Sequence, residues 1–230
     1  MATKLLKIKL ERDELHSKLG GGLPENSLSI IEGHDGGGKS VLAQRFCYGL
    51  LENGYSVTYI STEMNTVEFV QQMYSLNYIV AKYILSETLL FIPMFPFFGE
   101  IELDENFMDN LFNAKYIYKN QIVIFDTFSY LIVNDQTRKT NFEIVDFFKR
   151  LLGMGKTLII TINPEMINEE LRRLLTTMAD VYLRVELRER FGVLTNFIDV
   201  VRFKRAGDRI DKQIPFRVDP GVGIAIEITA

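Results

Sequence analysis

A glycine-rich stretch limits what this chain can fold into more than any other part of the sequence. Residues 33–40 read Gly-His-Asp-Gly-Gly-Gly-Lys-Ser, which matches the pattern G-x-x-x-x-G-K-S. A short apolar run at residues 28–32 precedes it, and a helical pattern follows it as far as Gly54. Because a strand, a glycine turn and a helix in this order are the context that the pattern requires, the sequence predicts a phosphate-binding loop within an α/β fold.

Each residue type in this stretch has a physical role. Glycines let backbone N–H groups turn toward an anion because no Cβ obstructs the approach, and the helix that follows adds the positive end of its dipole. Lys39 is expected to reach the β- and γ-phosphates of ATP, and Ser40 to offer its hydroxyl to Mg²⁺. The predicted nucleotide-binding residues are Gly33, Asp35, Gly36, Gly37, Gly38, Lys39, Ser40 and Val41. The alternative is a glycine turn that binds nothing, but the Lys-Ser pair would have no structural purpose there.

Length and charge narrow the class of protein. With 230 residues the chain fits one large α/β domain over residues 1–230. Lys and Arg number 26 against 30 Asp and Glu, so the net charge is −4, and there is no basic block. This balance makes the chain a poor candidate for general nucleic-acid binding.

Three features favour a cytoplasmic location. Cys47 is the single cysteine and cannot form an internal disulfide, which is typical of a reducing compartment. The N-terminus lacks the apolar core of a secretory signal. The Pro- and Phe-rich residues 89–98 are the most apolar stretch, but they are about half as long as a membrane-spanning helix.

The remaining patterns predict a mainly parallel central sheet flanked by helices. Alternation at residues 6–10 indicates an edge strand, and apolar runs at 56–61, 121–126 and 158–162 indicate further strands. Capping boxes begin helices at Asn65 with Glu68 and at Thr140 with Glu143. From residue 181 onward, long β-rich runs alternate with turn residues, which predicts antiparallel strands at the C-terminus.

Polar residues at strand ends are candidates for the rest of the site. Asp126 ends an apolar strand and is predicted to hold Mg²⁺ together with Ser40, although an aspartate there also caps turns. Thr127 follows it, so the glutamate that some ATPases carry at that position is missing. Glu63 is the candidate catalytic carboxylate for activating water, or else a solvated loop residue. Asn163 would sense the γ-phosphate or the water, or else simply stop its strand in an Asn-Pro turn.

Two cations near the C-terminus are candidates for action on a neighbouring subunit. Arg202 and Lys204 would share one face of a strand, because strands alternate. They would approach a neighbour's γ-phosphate in the manner of an arginine finger. The alternative is a charged face in contact with solvent.

These motifs together resemble the RecA/KaiC group of P-loop ATPases. The resemblance rests on residues 19–24 with the phosphate loop, on Ser61-Thr62-Glu63, on Phe125-Asp126-Thr127-Phe128-Ser129, and on the tail from Ala179 to Lys204. It implies a RecA/KaiC-like P-loop NTPase fold, with Glu63 as the catalytic carboxylate and Asp126 as the metal-binding residue. It also implies that the cationic pair reaches across a subunit interface.

Within this group the chain most resembles the accessory ATPases of the archaeal flagellum, or archaellum. The features are its single-domain length, the Asn163-Pro164 strand end and its acidic charge. That family implies a cytoplasmic protein, peripheral to the membrane at the archaellum base, that can form a homo-hexamer. Its partners would be the motor ATPase, the membrane platform protein and surrounding scaffold or ring proteins.

The motifs are compatible with three functions. In the first, nucleotide binding gates assembly and hydrolysis is weak or absent. In the second, the chain is an active ring ATPase of clock or recombinase type, with Glu63 as catalytic base. The third, an autophosphorylating protein, is singled out by no residue.

Overall fold

The computed structural model of the chain describes residues 4–94, 107–133, 139–190 and 192–227. The elements in chain order are β1 (Leu5–Leu6), α1 (Leu15–Lys18), β2 (Leu23–Pro24), β3 (Leu28–Glu32), α2 (Lys39–Glu52), β4 (Val57–Ser61), α3 (Thr66–Ser75), α4 (Ala81–Leu85), β5 (Leu89–Pro93), α5 (Phe107–Asn113), β6 (Ile122–Asp126), α6 (Phe128–Val133), α7 (Asn141–Gly153), β7 (Thr157–Ile162), α8 (Glu169–Met178), β8 (Val181–Arg190), β9 (Val193–Phe203), β10 (Gln213–Asp219) and β11 (Gly223–Ile226).

A large mixed sheet organises the described residues. Its strand order is β11-β10-β9-β8-β3-β7-β6-β4-β5. The strands from β8 to β5 in that order are mutually parallel. Beyond β8 follow β9, β10 and β11, and each of them is antiparallel to the strand beside it. The predicted fold class, a mainly parallel sheet with antiparallel C-terminal strands, is confirmed.

The central parallel strands are buried on both faces. Every residue of β3, β4, β6 and β7 is buried, as expected for strands covered by helices on both faces. One face packs against α2 and α3 through residues such as Phe46 and Phe69. The other face packs against α7 and α8 through residues such as Phe148 and Leu171.

Local capping signals located the helix ends correctly. Both predicted capping boxes are present: the side chain of Asn65 caps α3 and that of Thr140 caps α7, each with reciprocal contacts from the predicted glutamate. The helix that follows the glycine loop ends before Gly54, whose φ of 85° is the left-handed conformation typical of a helix terminus.

The predicted edge strand at residues 6–10 is wrong. Only Leu5–Leu6 is a strand, and it pairs with β2 in a separate small sheet. The apolar residues of the alternation, Leu6, Ile8 and Leu10, are buried as expected. The backbone around Ile8, however, bonds to side chains instead of a neighbouring strand: its N–H donates to His16 Nδ1 at 3.4 Å and its carbonyl accepts from Arg45 at 3.0 Å.

The apolar stretch at residues 89–98 begins as β5, at the edge of the large sheet. Residues 95–98 lie outside the described part of the chain. Among the helices that the structure describes, none combines the length and apolarity needed to cross a membrane.

Candidate functional site

The glycine-rich loop connects β3 to α2, as predicted. The N–H of Gly33 donates to the carbonyl of Ile162 at 3.1 Å, which ties the start of the loop to β7. A Cβ on Gly33 would lie 2.5 Å from the carbonyl oxygen of Val185, so a larger residue would displace the loop. Gly38 forms the N-cap of α2 with φ 94°, a conformation that glycine adopts without strain. The turn therefore depends on its glycines.

The loop borders a cavity suited to a polyphosphate. Its volume is about 450 Å³, and its lining residues are Asp35, Gly36, Gly38, Lys39, Ser40, Val41 and Glu63. A Cβ on Gly36 would meet no atom within 4 Å, so the space above the loop is open. With the N-terminus of α2 directed to the same place, the donor set fits an anion such as the phosphates of ATP.

Lys39 is buried within the loop. Its side chain is 5% exposed, and Nζ donates to the carbonyl of His34 at 2.8 Å and to Oδ1 of Asp35 at 3.2 Å. A buried ammonium needs anionic or carbonyl partners. The loop itself supplies them here, and phosphate oxygens would be equivalent acceptors.

Ser40 and Asp126 meet across the sheet edge. Ser40 Oγ donates to Oδ1 of Asp126 at 2.9 Å. Thr161 Oγ1 donates to the same oxygen at 2.9 Å, and the hydroxyl of Tyr59 donates to Oδ2 at 2.8 Å. A hydroxyl and a carboxylate are oxygen ligands of the kind that Mg²⁺ uses beside nucleotide phosphates, so these residues fit the predicted metal. When bound, Mg²⁺ would neutralise phosphate charge at this point.

Burial sets the acidity of Asp126. Complete burial, with the negative charge of Glu63 nearby, raises the pKa of Asp126 to about 6 from an ordinary 3.8, although its three hydroxyl donors oppose this shift. A raised pKa means that folding favours the protonated form of this carboxyl over the ionised form. The protonated carboxyl of Asp126 therefore stabilises the fold fully below its ordinary pKa of 3.8. This stabilisation is lost as the pH rises through about 6 and the carboxyl ionises.

Replacing Asp126 with Asn mimics the protonated carboxyl. We expect the metal-free Asp126→Asn protein to melt close to the parent near about pH 4, and several degrees above it at about pH 7.5. Thermal melts across this pH range measure the difference. A variant that melts below the parent at the higher pH would contradict this interpretation of the site.

Glu63 is held by a strained neighbour. It follows β4, and its Oε1 accepts a hydrogen bond from Thr127 Oγ1 at 2.7 Å. Thr127 has φ 58°, which is rare for a β-branched residue. Its N–H donates to Thr161 Oγ1 at 2.6 Å, and this contact helps to fix the conformation. Thr127, which the sequence presented only as the absence of a glutamate, therefore positions the candidate catalytic carboxylate.

Asn163 serves the turn and also contacts the loop. Its Oδ1 accepts from the N–H of Glu165 at 3.1 Å, as expected for a residue that ends a strand. Its Nδ2 donates to Oδ1 of Asp35 at 3.0 Å, and the residue is 3% exposed. The predicted sensor thus lies next to Lys39, because both bond to the same oxygen of Asp35.

A buried cluster that the sequence did not predict surrounds Glu32, the residue directly before the glycine loop. Glu32, the last residue of β3, is 2% exposed and accepts two hydrogen bonds of 2.7 Å from Arg172 of α8. Tyr182 also donates to it, and Arg184 lies 3.3 Å away. Burial alone would raise the pKa of Glu32, but these hydrogen bonds outweigh burial and lower it. The residue before Gly33 is therefore a fixed anion tied to α8 and β8.

Arg202 and Lys204 lie far from the loop of their own chain. Arg202 pairs with Tyr182 in the sheet register and donates to the carbonyls of Thr176, Thr177 and Ala179 at the end of α8. Lys204 follows β9 and lies 3.6 Å from Asp180. Both are near the amino ends of the parallel strands, whereas the loop is at their carboxyl ends. Their role across a subunit interface stays a prediction.

Comparison with known proteins identifies the family. A family model described as "ATPase: KaiC" matches residues 11–229. The archaeal flagellar ATP-binding protein FlaH of Methanocaldococcus jannaschii is 40% identical over 227 residues, which covers 99% of this chain and 97% of that protein. The chain belongs to the FlaH family of KaiC-type ATPases. This chain is also 39% identical to FlaH of Methanococcus voltae, and the match covers 99% of each protein.

Solved structures confirm the predicted RecA/KaiC-like fold. The crystal structure of flagellar accessory protein FlaH from M. jannaschii superposes with a TM-score of 0.93 at 40% identity and covers 98% of this chain and 100% of that one. A KaiC-like protein from Pyrococcus horikoshii superposes with a TM-score of 0.79 at 19% identity, with the same coverage. The resemblance drawn from the motifs is therefore confirmed at the level of family and fold.

Proposed function

We propose that this chain is an ATP-binding component of the archaellum motor whose nucleotide occupancy governs its association with other motor proteins. The observation that carries the proposal is the buried Lys39 inside the glycine loop, with Ser40 hydrogen-bonded to Asp126 beside the same cavity. These residues would hold the phosphates of ATP and its Mg²⁺. The names of the FlaH relatives, which describe archaeal flagellar ATP-binding proteins, support the cellular setting.

The proposed partners are those of an archaellum accessory protein. They are the motor ATPase, the membrane platform protein and surrounding scaffold or ring proteins. The chain would act as one ATP-binding domain, cytoplasmic and peripheral to the membrane, and would form homo-hexamers. The contacts from the loop to Asn163, and through Glu32 to Arg172 of α8, support the gating step, because they join the loop to elements that reach the surface.

An association measurement tests this function. We expect the chain to bind the purified archaellum motor ATPase at least about tenfold more tightly with Mg²⁺ and ATP than without nucleotide, which corresponds to a coupling free energy of ~1.4 kcal/mol. Glu63→Gln should keep this dependence, because Glu63 is proposed to act on water and not to hold the phosphates. Equal partner affinity with and without ATP would exclude gating.

A second function, an active ring ATPase, is supported by the place of Glu63. Its carboxylate lines the cavity beside Lys39 and Ser40, where it would orient or deprotonate water near the γ-phosphate. Arg202 and Lys204 are too distant to serve their own loop, so this function requires a neighbouring subunit. Turnover per chain that rises with protein concentration and falls at least about 100-fold in Glu63→Gln would support it. Negligible turnover at every concentration would exclude it.

A further inference from the structure

Two nearly buried donors converge on one exposed carboxylate oxygen. Oδ1 of Asp35 accepts from Lys39 Nζ at 3.2 Å and from Asn163 Nδ2 at 3.0 Å. Lys39 is 5% and Asn163 is 3% exposed, whereas the Asp35 side chain is 79% exposed. The donors are therefore fixed by their surroundings, and the acceptor is the partner that is free to leave.

The donor pair defines the chemistry of what it binds. An ammonium and an amide N–H₂ that meet at one point make a site for an anionic oxygen. The carboxylate of Asp35 supplies such an oxygen within the chain, and a terminal phosphate supplies the same kind of oxygen. Both anions cannot use the donors at once, because like charges at such short distances repel strongly in a partly buried site.

The carboxylate also has a role when no nucleotide is bound. Lys39 would otherwise be a buried ammonium with the carbonyl of His34 as its acceptor. An uncompensated buried charge is costly, so a counter-ion stabilises the loop in its empty form. Stabilising the empty form necessarily opposes ligand binding by the same free energy.

We propose that Asp35 is a specificity-determining residue, an internal placeholder for the terminal phosphate. In the empty loop its Oδ1 accepts hydrogen bonds from both Lys39 and Asn163. Both hydrogen bonds must break before these donors can bind the terminal phosphate of ATP. ADP would require the release of Lys39 alone, so the placeholder opposes ATP more than ADP. This inference rests on the proposed function that the loop binds ATP, and it assigns to the side chain of Asp35 a part that the phosphate-loop pattern does not contain.

Titration of matched variants tests the placeholder. Asp35→Asn keeps the size of the side chain and removes its charge. Glu165→Gln is the control, because its carboxylate is 75% exposed and lies 3.4 Å from His34 in the same loop region. The hydrogen bond that joins Glu165 to Asn163 comes from its backbone N–H, which the substitution keeps. We expect Asp35→Asn to bind ATP about three- to tenfold more tightly than the parent, with a smaller gain for ADP. Glu165→Gln should change either affinity less than about twofold.

A second measurement separates the placeholder from general electrostatics. The nucleotide-free Asp35→Asn protein should melt at a lower temperature than the parent, because the empty loop loses its counter-ion.

An unchanged or weaker ATP affinity in Asp35→Asn, or a gain that Glu165→Gln equals, would overturn the inference while leaving ATP binding intact. A parent and variants that all fail to bind ATP would contradict both this inference and the proposed function.

Discussion

Lys39→Ala is expected to weaken ATP binding by at least about 100-fold, or ~3 kcal/mol. Among the described residues that line the cavity, Lys39 supplies the one side-chain cation, so alanine leaves the phosphates without their charge-assisted partner. The empty protein should stay folded, because the lost contacts are to the carbonyl of His34 and the exposed Asp35. Calorimetric titration with ATP and a thermal melt measure the two effects separately.

The matched control for this variant is Lys212→Ala. Lys212 is an exposed lysine just before β10, so its removal changes the net charge equally without touching the loop. If nucleotide occupancy governs association, Lys39→Ala should lose both ATP binding and binding to the motor ATPase. Lys212→Ala should retain both. A Lys39→Ala protein that binds ATP within a few-fold of the parent would contradict the assignment of the loop.

Asp13→Ala is expected to destabilise the fold by about 3–5 kcal/mol. Asp13 accepts hydrogen bonds of 2.6 and 2.7 Å from Arg45 of α2, and the two side chains are 1% and 0% exposed. Removing the carboxylate leaves a guanidinium buried without its counter-charge, whose remaining described partner is the carbonyl of Ile8. Urea denaturation of the parent and the variant measures the change in the free energy of unfolding.

A double variant distinguishes the buried charge from lost packing. Asp13→Leu combined with Arg45→Met replaces the pair by apolar side chains and should recover most of the stability. A double variant as unstable as Asp13→Ala, or a single variant that loses less than about 1 kcal/mol, would show that the pair does not anchor α2. Because α2 begins at Lys39, this anchor also holds the helix that presents the phosphate loop.

Gly49 shows how closely this anchor is packed. Glycine within a helix normally destabilises it relative to alanine. A Cβ on Gly49, however, would lie 2.4 Å from Nη1 of Arg45 and 2.8 Å from the carbonyl oxygen of Ile8. The glycine is required because the N-terminal segment and the guanidinium occupy that space.

The parts of the molecule that sequence predicted correctly are those with local signals. The glycine loop, both capping boxes and the central strands each carry their information within about ten residues. The alternation at residues 6–10 also predicted burial correctly. It failed to predict the structure, because the partners of that backbone are the side chains of His16 and Arg45 from elsewhere in the chain.

The parts that sequence missed depend on which strands become neighbours. Tyr59 and Thr161 meet Asp126 only because β6 lies between β4 and β7. In the same way, the Tyr182 contact to Glu32 arises because β3 pairs with β8, and Arg172 comes from α8, the helix that leads into β8. Strand order is set by the packing of the whole domain, so motif spacing along the chain does not contain it. The ends of adjacent strands were the available signal for Glu63, Asp126 and Asn163, whose roles stay predictions. Glu63 lines the cavity, and Asp126 and Asn163 hydrogen-bond to its lining residues Ser40 and Asp35.

One measurement tests the central claim most directly, that a triphosphate and its metal occupy this cavity. Calorimetric titration of the folded chain with ATP in the presence of Mg²⁺ should show saturable binding at one site per chain. This binding should weaken when Mg²⁺ is left out and disappear in Lys39→Ala. Absence of saturable binding to a folded, monodisperse protein would contradict the account.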